Sequence, residues 1–195
     1  MAVTLAAYSK KHGHGKYDRY FPFFDETLRG HTVGRLLEIG CSSRSLQTWL
    51  DCFPKAQIVG LDRSAKGPTG TDDNLRLERE NARLTFVLGD QSDTKLLTEL
   101  GAFDVVVDDG GHQSYEQITS FKTLFPAMTP GGWYFIEDLH CSYWPGYNSK
   151  GPTTMRFIKG LLDDMHAHYL DPPQQARWPI NEVRLLDSVA AFRRT

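Results

Sequence analysis

The sequence predicts an α/β fold, with a mostly parallel central sheet, helices on both of its faces and an antiparallel edge near the C-terminal end. Three observations carry this expectation. Apolar runs recur between Val33 and Phe135 with helix-like segments between them, the alternation of repeated βα units. Runs such as Phe103-Asp104-Val105-Val106-Val107 and Trp133-Tyr134-Phe135-Ile136 are apolar along most of their length, as strands buried on both faces must be. Each run stops at a glycine or a carboxylate, at the strand end where open α/β sheets hold their ligands.

Residues 1–32 read as an N-terminal helical or lid segment, in which Tyr20, Phe21, Phe23 and Phe24 form an apolar helix face and Pro22 belongs near the first turn. Strands are expected at 35–39, 56–61, 84–88, 103–107 and 133–136, with helices near 45–52, 75–80, 94–100 and 114–125 between them. Residues 63–73, with Gly67, Pro68 and Gly70, read as a long loop. Thr129-Pro130-Gly131-Gly132 is a turn that must end the helix before the fifth strand. A second long loop covers 141–154, where Trp144, Pro145, Gly146 and Tyr147 either form a lid or pack down on the next helix. That helix is expected at 155–169. The tail, 182–194, offers one or two edge strands that turn at Asp187-Ser188.

At 195 residues the chain fits one sizeable core, and 1–195 is read as a single domain. Its 40% apolar and 24% charged residues are ordinary for a globular protein, and a net charge of −2 gives no electrostatic case for nucleic acid. Cys41, Cys52 and Cys141 are odd in number and contain no C-x-x-C pair, so neither a disulfide framework nor a zinc knuckle is expected. A reducing cytoplasm fits this usage. The N-terminus has no apolar signal region, and no apolar stretch approaches the length of a membrane span.

Two acidic pairs carry the chemistry. Asp108-Asp109, followed by Gly110-Gly111-His112, and Glu137-Asp138 lie one βαβ unit apart, both at strand ends. Four carboxylates at one sheet edge repel one another without a cation, and hard oxygen ligands favour Mg²⁺, Mn²⁺ or Ca²⁺ over zinc. His112 has the ordinary pKa range for taking a proton beside such an ion. Three earlier strand ends describe an adenosine site. Leu36-Leu37-Glu38-Ile39-Gly40 enters a helix after Cys41-Ser42-Ser43-Arg44, Asp62 closes the second strand where a carboxylate can grip ribose hydroxyls, and Asp90-Gln91 can hydrogen-bond an adenine.

With these residues in view, the chain resembles the class I S-adenosylmethionine-dependent methyltransferases, and within them the metal-dependent macrolide sugar O-methyltransferases of the mycinamicin and macrocin group. The resemblance runs through Tyr17-Asp18-Arg19-Tyr20-Phe21, Leu37-Glu38-Ile39-Gly40, Gly60-Leu61-Asp62, Gly89-Asp90-Gln91, Asp108-Asp109-Gly110-Gly111-His112, Ile136-Glu137-Asp138-Leu139-His140 and Trp178-Pro179-Ile180-Asn181-Glu182. It implies a Rossmann-like class I methyltransferase fold, with S-adenosylmethionine and Mg²⁺, or Mn²⁺, as cofactors. Asp109, Glu137 and Asp138 would hold the metal, and His112 would be the general base. Glu38, Gly40, Ser45, Asp62, Asp90, Gln91 and Asp108 would line the cofactor site. The substrate it implies is a small-molecule glycoside, with neither nucleic acid nor membrane as partner and with homo-oligomers allowed. The chemistry is coherent, because a sugar hydroxyl is too weak an acid to ionise unaided near neutral pH. A metal that stabilises the developing alkoxide and an adjacent base both favour its methylation.

The chain departs from those relatives at the first glycine-rich loop, where Ser42 and Ser43 replace glycines and Arg44 follows, in segment 10–16, and in the tail around Leu185-Leu186-Asp187. The competing expectation is a repurposed or inactive relative that binds cofactor or metal without methyl transfer. A nucleotide-binding oxidoreductase is disfavoured, because no G-x-G-x-x-G follows the first strand.

Overall fold

The computed structural model describes residues 4–13, 16–66, 73–148 and 150–195. Part of the expected 63–73 loop, with Gly67, Pro68 and Gly70, lies outside the described residues, as does His14. In chain order the elements are α1 (Leu5–His12), α2 (Tyr20–Thr27), β1 (Arg35–Ile39), α3 (Ser43–Cys52), β2 (Gln57–Asp62), α4 (Asn74–Glu80), β3 (Leu84–Leu88), α5 (Thr94–Glu99), β4 (Val105–Asp108), α6 (Ser114–Leu124), β5 (Trp133–Ile136), α7 (Thr154–Met165), β6 (Ile180–Leu186) and β7 (Val189–Arg194). They form a seven-stranded sheet in the order β3-β2-β1-β4-β5-β7-β6. β1 to β5 pair in parallel, and β7 joins β5 and β6 antiparallel, as the sequence led us to expect.

Alternation along β5 divides the core. Trp133 and Phe135 face α1, α2 and α3, where the Phe24 and Phe135 rings lie 4.4 Å apart and Trp49 packs edge-on against Phe24. Tyr134 and Ile136 face α5, α6 and α7, with Phe121 in contact with Phe125, Tyr134, Phe157 and Phe192. α1 is held to the body by charge: Lys11 and His12 both reach the Asp51 carboxylate of α3, at 2.7 and 2.9 Å. The Asp25 carboxylate of α2 accepts the Leu5 backbone N–H at 2.8 Å, capping the other end of α1.

Besides shifts of one or two residues at other element ends, three segments depart from expectation. β4 begins at Val105 because the Asp104 side chain turns aside to accept the Gly34 and Arg35 amides, each at 2.8 Å, and the Thr129 hydroxyl at 2.7 Å. The last helix ends at Met165, and Ala167–Tyr169 is a tighter 3₁₀ turn whose Tyr169 amide bonds the His166 carbonyl. Loop 141–154 is partly ordered as 3₁₀ turns at Leu139–Tyr143 and Pro145–Tyr147, and Asn148 ties it to the Ser142 carbonyl and the Ser114 hydroxyl. Among the described residues no helix is long and apolar enough to cross a membrane.

Candidate active site

The sheet reverses its strand order between β1 and β4, and the crevice outside the carboxyl ends of these strands is the site. Register brings the functional residues level. Ile39 pairs with Leu61 on one side and Asp108 on the other, and Asp108 pairs with Ile136, so Gly40, Asp62, Asp109 and Glu137 emerge at one rim. Gly40 has φ 75°, and a Cβ there would overlap the Asp109 carbonyl, so the β1 turn needs a glycine for two independent reasons. A cleft of about 460 Å³ opens here, lined by Gly40, Asp62, Gly89, Asp109, Gly110 and His112 among others.

The altered glycine loop has a structural use. Ser42 is the N-cap of α3 and forms a capping box with Ser45, while Arg44 reaches the Gly13 carbonyl at 3.5 Å. The Ser45 hydroxyl also donates to Glu38 at 2.6 Å. Glu38 is fully buried, and burial raises its carboxyl pKa above the ordinary range against the pull of Lys16 and Ser45. Asp62 is half-buried at the rim, raised in pKa by desolvation, and accepts the Ser64 amide at 2.7 Å. Asp90 accepts the Ser92 amide and hydroxyl.

Two residues expected to face the cofactor are committed within the protein. The Asp108 carboxylate is fully buried and accepts Gln91 Nε2 at 3.0 Å, Ser120 Oγ at 2.5 Å and Tyr134 Oη at 3.2 Å. The Gln91 carbonyl oxygen accepts the Gly111 amide at 2.7 Å, so this side chain bridges Asp108 to the turn that carries Asp109 and His112. It shapes one wall of the cleft through that bridge.

The acidic residues form a second compartment of about 270 Å³, lined by Lys16, Tyr17, Tyr20, Asp109, Glu137 and Asp138. Asp109, His112 and Asp138 offer ligand atoms that all lie within 4.8 Å of one another. Glu137, expected beside them, instead meets Lys16. The Lys16 ammonium lies 2.5 Å from Asp109, 2.7 Å from Glu137 and 3.5 Å from Glu38, with only 2% of its side chain exposed. Burial and the Asp109 charge push the Glu137 carboxyl well above the usual range, against the pull of Lys16. Tyr20 donates toward Asp138 at 3.0 Å and the Ser188 carbonyl at 3.2 Å.

No protein-family model matches the chain. Among characterised proteins it is 36% identical to demethylmacrocin O-methyltransferase of Streptomyces fradiae over 181 residues, covering 84% of this chain and 42% of that protein. It is also 36% identical to mycinamicin VI 2″-O-methyltransferase of Micromonospora griseorubida, over 75% of this chain and 38% of that one. Of solved structures, the MycE methyltransferase of the mycinamycin pathway, in complex with Mg, SAH and mycinamycin VI, superposes with a TM-score of 0.81 at 29% identity, covering 98% of this chain and 53% of that one. The chain is a homologue of the macrolide sugar O-methyltransferases and has their class I methyltransferase fold. It spans about half the length of these relatives or less.

The homologue's own residues fit a divalent cation. Oxygen donors predominate, and Glu38, Asp109 and Glu137 already converge on one positive charge. The cleft fits a nucleoside, since the Asp62 carboxylate at the end of β2 and the Gln91 side chain after β3 flank a glycine-lined floor. Reading the sequence did not find Lys16, which lies 93 residues from Asp109, nor the Tyr20 hydroxyl, read only as part of an apolar face. The aromatic signal around Tyr17 and Tyr20 was present in the sequence, but the polar tip of Tyr20 acquires its role only through the fold.

Proposed function

We propose that the chain is the catalytic domain of an S-adenosylmethionine- and Mg²⁺-dependent O-methyltransferase acting on a sugar hydroxyl of a glycosylated secondary metabolite. One observation carries the reading: Asp109 lines both the nucleoside-sized cleft and the acidic compartment, so a donor and an activated acceptor would meet at a shared wall. When bound, S-adenosylmethionine supplies an electrophilic methyl group and the divalent ion lowers the cost of negative charge on the acceptor oxygen.

The chain's residues would divide the remaining work. Glu38, Gly40, Asp62 and Asp90 line or support the cofactor cleft, and Gln91 and Asp108 hold its wall. Asp109, Glu137 and Asp138 would hold the metal. His112 Nε2, 3.6 Å from the Asp138 carboxylate, would accept the acceptor's hydroxyl proton, and Asp138 would favour the imidazolium that results. Support for methyl transfer over the competing inactive reading comes from the homologues, which are named methyltransferases.

The test is calorimetric titration of S-adenosylmethionine and S-adenosylhomocysteine, with Mg²⁺ and after chelation, followed by labelled-methyl transfer to a panel of glycosylated macrolides. We expect both ligands to bind and at least one glycoside to be labelled only with metal present. Absence of binding to both ligands would defeat the proposal.

A further inference from the structure

The acidic compartment is lined by a cationic side chain, that of Lys16. Lys16 comes from the connection between α1 and α2, and its ammonium is enclosed by Glu38 from β1, Asp109 after β4 and Glu137 after β5. One Asp109 oxygen meets Lys16, and the carboxylate also lies within 4.8 Å of ligand atoms of His112 and Asp138.

We propose that Lys16 is a built-in counter-ion of the metal site, which holds the carboxylate cluster together when no metal is bound and is displaced when a divalent cation takes Asp109. The inference rests on the metal reading of the proposed function. Its physical basis is a conflict of like charges. An ammonium and a dication that share one carboxylate repel each other, so only one can hold Asp109 closely. The geometry also supplies the reason for the lysine, since Glu38 and Glu137 are buried and would otherwise face Asp109 uncompensated. Tyr17, the next residue, is 48% exposed, so the segment carrying Lys16 lies at the surface and has somewhere to withdraw to.

The test uses the full chain and Mn²⁺ as the probe ion, with free Mn²⁺ followed by electron paramagnetic resonance. Lys16→Gln should bind Mn²⁺ at least about tenfold more tightly than wild type, and Lys16→Arg should stay close to wild type. Without metal, Lys16→Gln should melt at a lower temperature than wild type, and Mn²⁺ should restore it. Reductive methylation of the wild-type protein reads the displacement directly: Lys16 should be protected without metal and labelled with Mn²⁺ bound. Wild-type Mn²⁺ binding with unaltered affinity in Lys16→Gln and unchanged Lys16 labelling would overturn this inference alone. No Mn²⁺ binding by any of the three proteins would overturn the metal reading beneath it.

Discussion

His112 and Asp138 face each other from two left-handed backbone positions, φ 55° and 54°, with Nε2 3.6 Å from Oδ2. Neither is glycine, and a non-glycine residue held there costs about 1–3 kcal/mol. The two turns that carry them follow β4 and β5, adjacent parallel strands, so the strain lies on both sides of one compartment. That placement aims an imidazole and a carboxylate at the same small volume.

Replacing the imidazole while keeping the backbone separates its chemistry from its packing. Asparagine tolerates the left-handed region, so His112→Asn should stay within about 0.5 kcal/mol of wild type in a denaturant melt. Methyl transfer should fall by about 100-fold or more, with S-adenosylhomocysteine affinity retained. Normal turnover in a folded His112→Asn protein would remove His112 from the base role.

Asp108 is a test of burial against ligand binding. Its carboxylate satisfies donors on Gln91, Ser120 and Tyr134; Ser120 keeps the Glu116 and Gln117 carbonyls as acceptors, so Asp108→Ala leaves the Gln91 amide and the Tyr134 hydroxyl unpaired. Each orphaned group costs about 1–3 kcal/mol, and urea unfolding should show a loss of at least about 2 kcal/mol. A stable variant that has lost only cofactor affinity would return Asp108 to direct cofactor contact.

Asp51 ties α1 to α3 in a pH-dependent way. Burial opposes its ionisation, but hydrogen bonds from Lys11, His12 and Gln47 outweigh this and bring its pKa down to about 2, from 3.8. A carboxyl whose folded pKa is depressed gives stability that is present above the unfolded value and is lost as pH falls through the folded one. The stability difference between wild type and Asp51→Asn should therefore be largest above pH 4 and fade toward pH 2 in urea melts. A difference that remains constant over that interval would show that the ion pairs contribute nothing.

The cysteines should be chemically silent in the folded protein. Cys41 and Cys141 are buried, and desolvation, with Asp25 and Asp51 nearby, pushes the Cys52 thiol up to about 12. Iodoacetamide at pH 8 should leave native protein unmodified and alkylate all three thiols in urea, as read by mass spectrometry. Rapid labelling of Cys52 in the native state would contradict its environment.

The sheet was legible because its signals are local. Buried parallel strands are apolar on both faces, so their runs stand out, and β1, β3 and β5 begin and end where periodicity placed them. The placement of Asp109, His112, Glu137 and Asp138 at one rim was legible for the same reason, since a parallel strand's carboxyl end is a fixed address in an α/β fold. The end of α7 was less so, because the apolar period continues past Met165, where the chain tightens into the 3₁₀ turn Ala167–Tyr169.

The sequence by itself therefore determined which elements form, that the strands run mostly parallel, and which strand ends carry acids. Only the tertiary structure decided which way neighbouring acids turn. Asp108 points inward to Ser120 and Tyr134 while Asp109 points to Lys16, and Glu137 meets Lys16 while Asp138 meets Tyr20 and His112. Lys16 and Tyr20 reach those acids across 93 and 118 residues of chain. The reason is physical: strand formation is set by patterns a few residues long, whereas the partner of a buried charge is whatever the packed helices bring within reach of it.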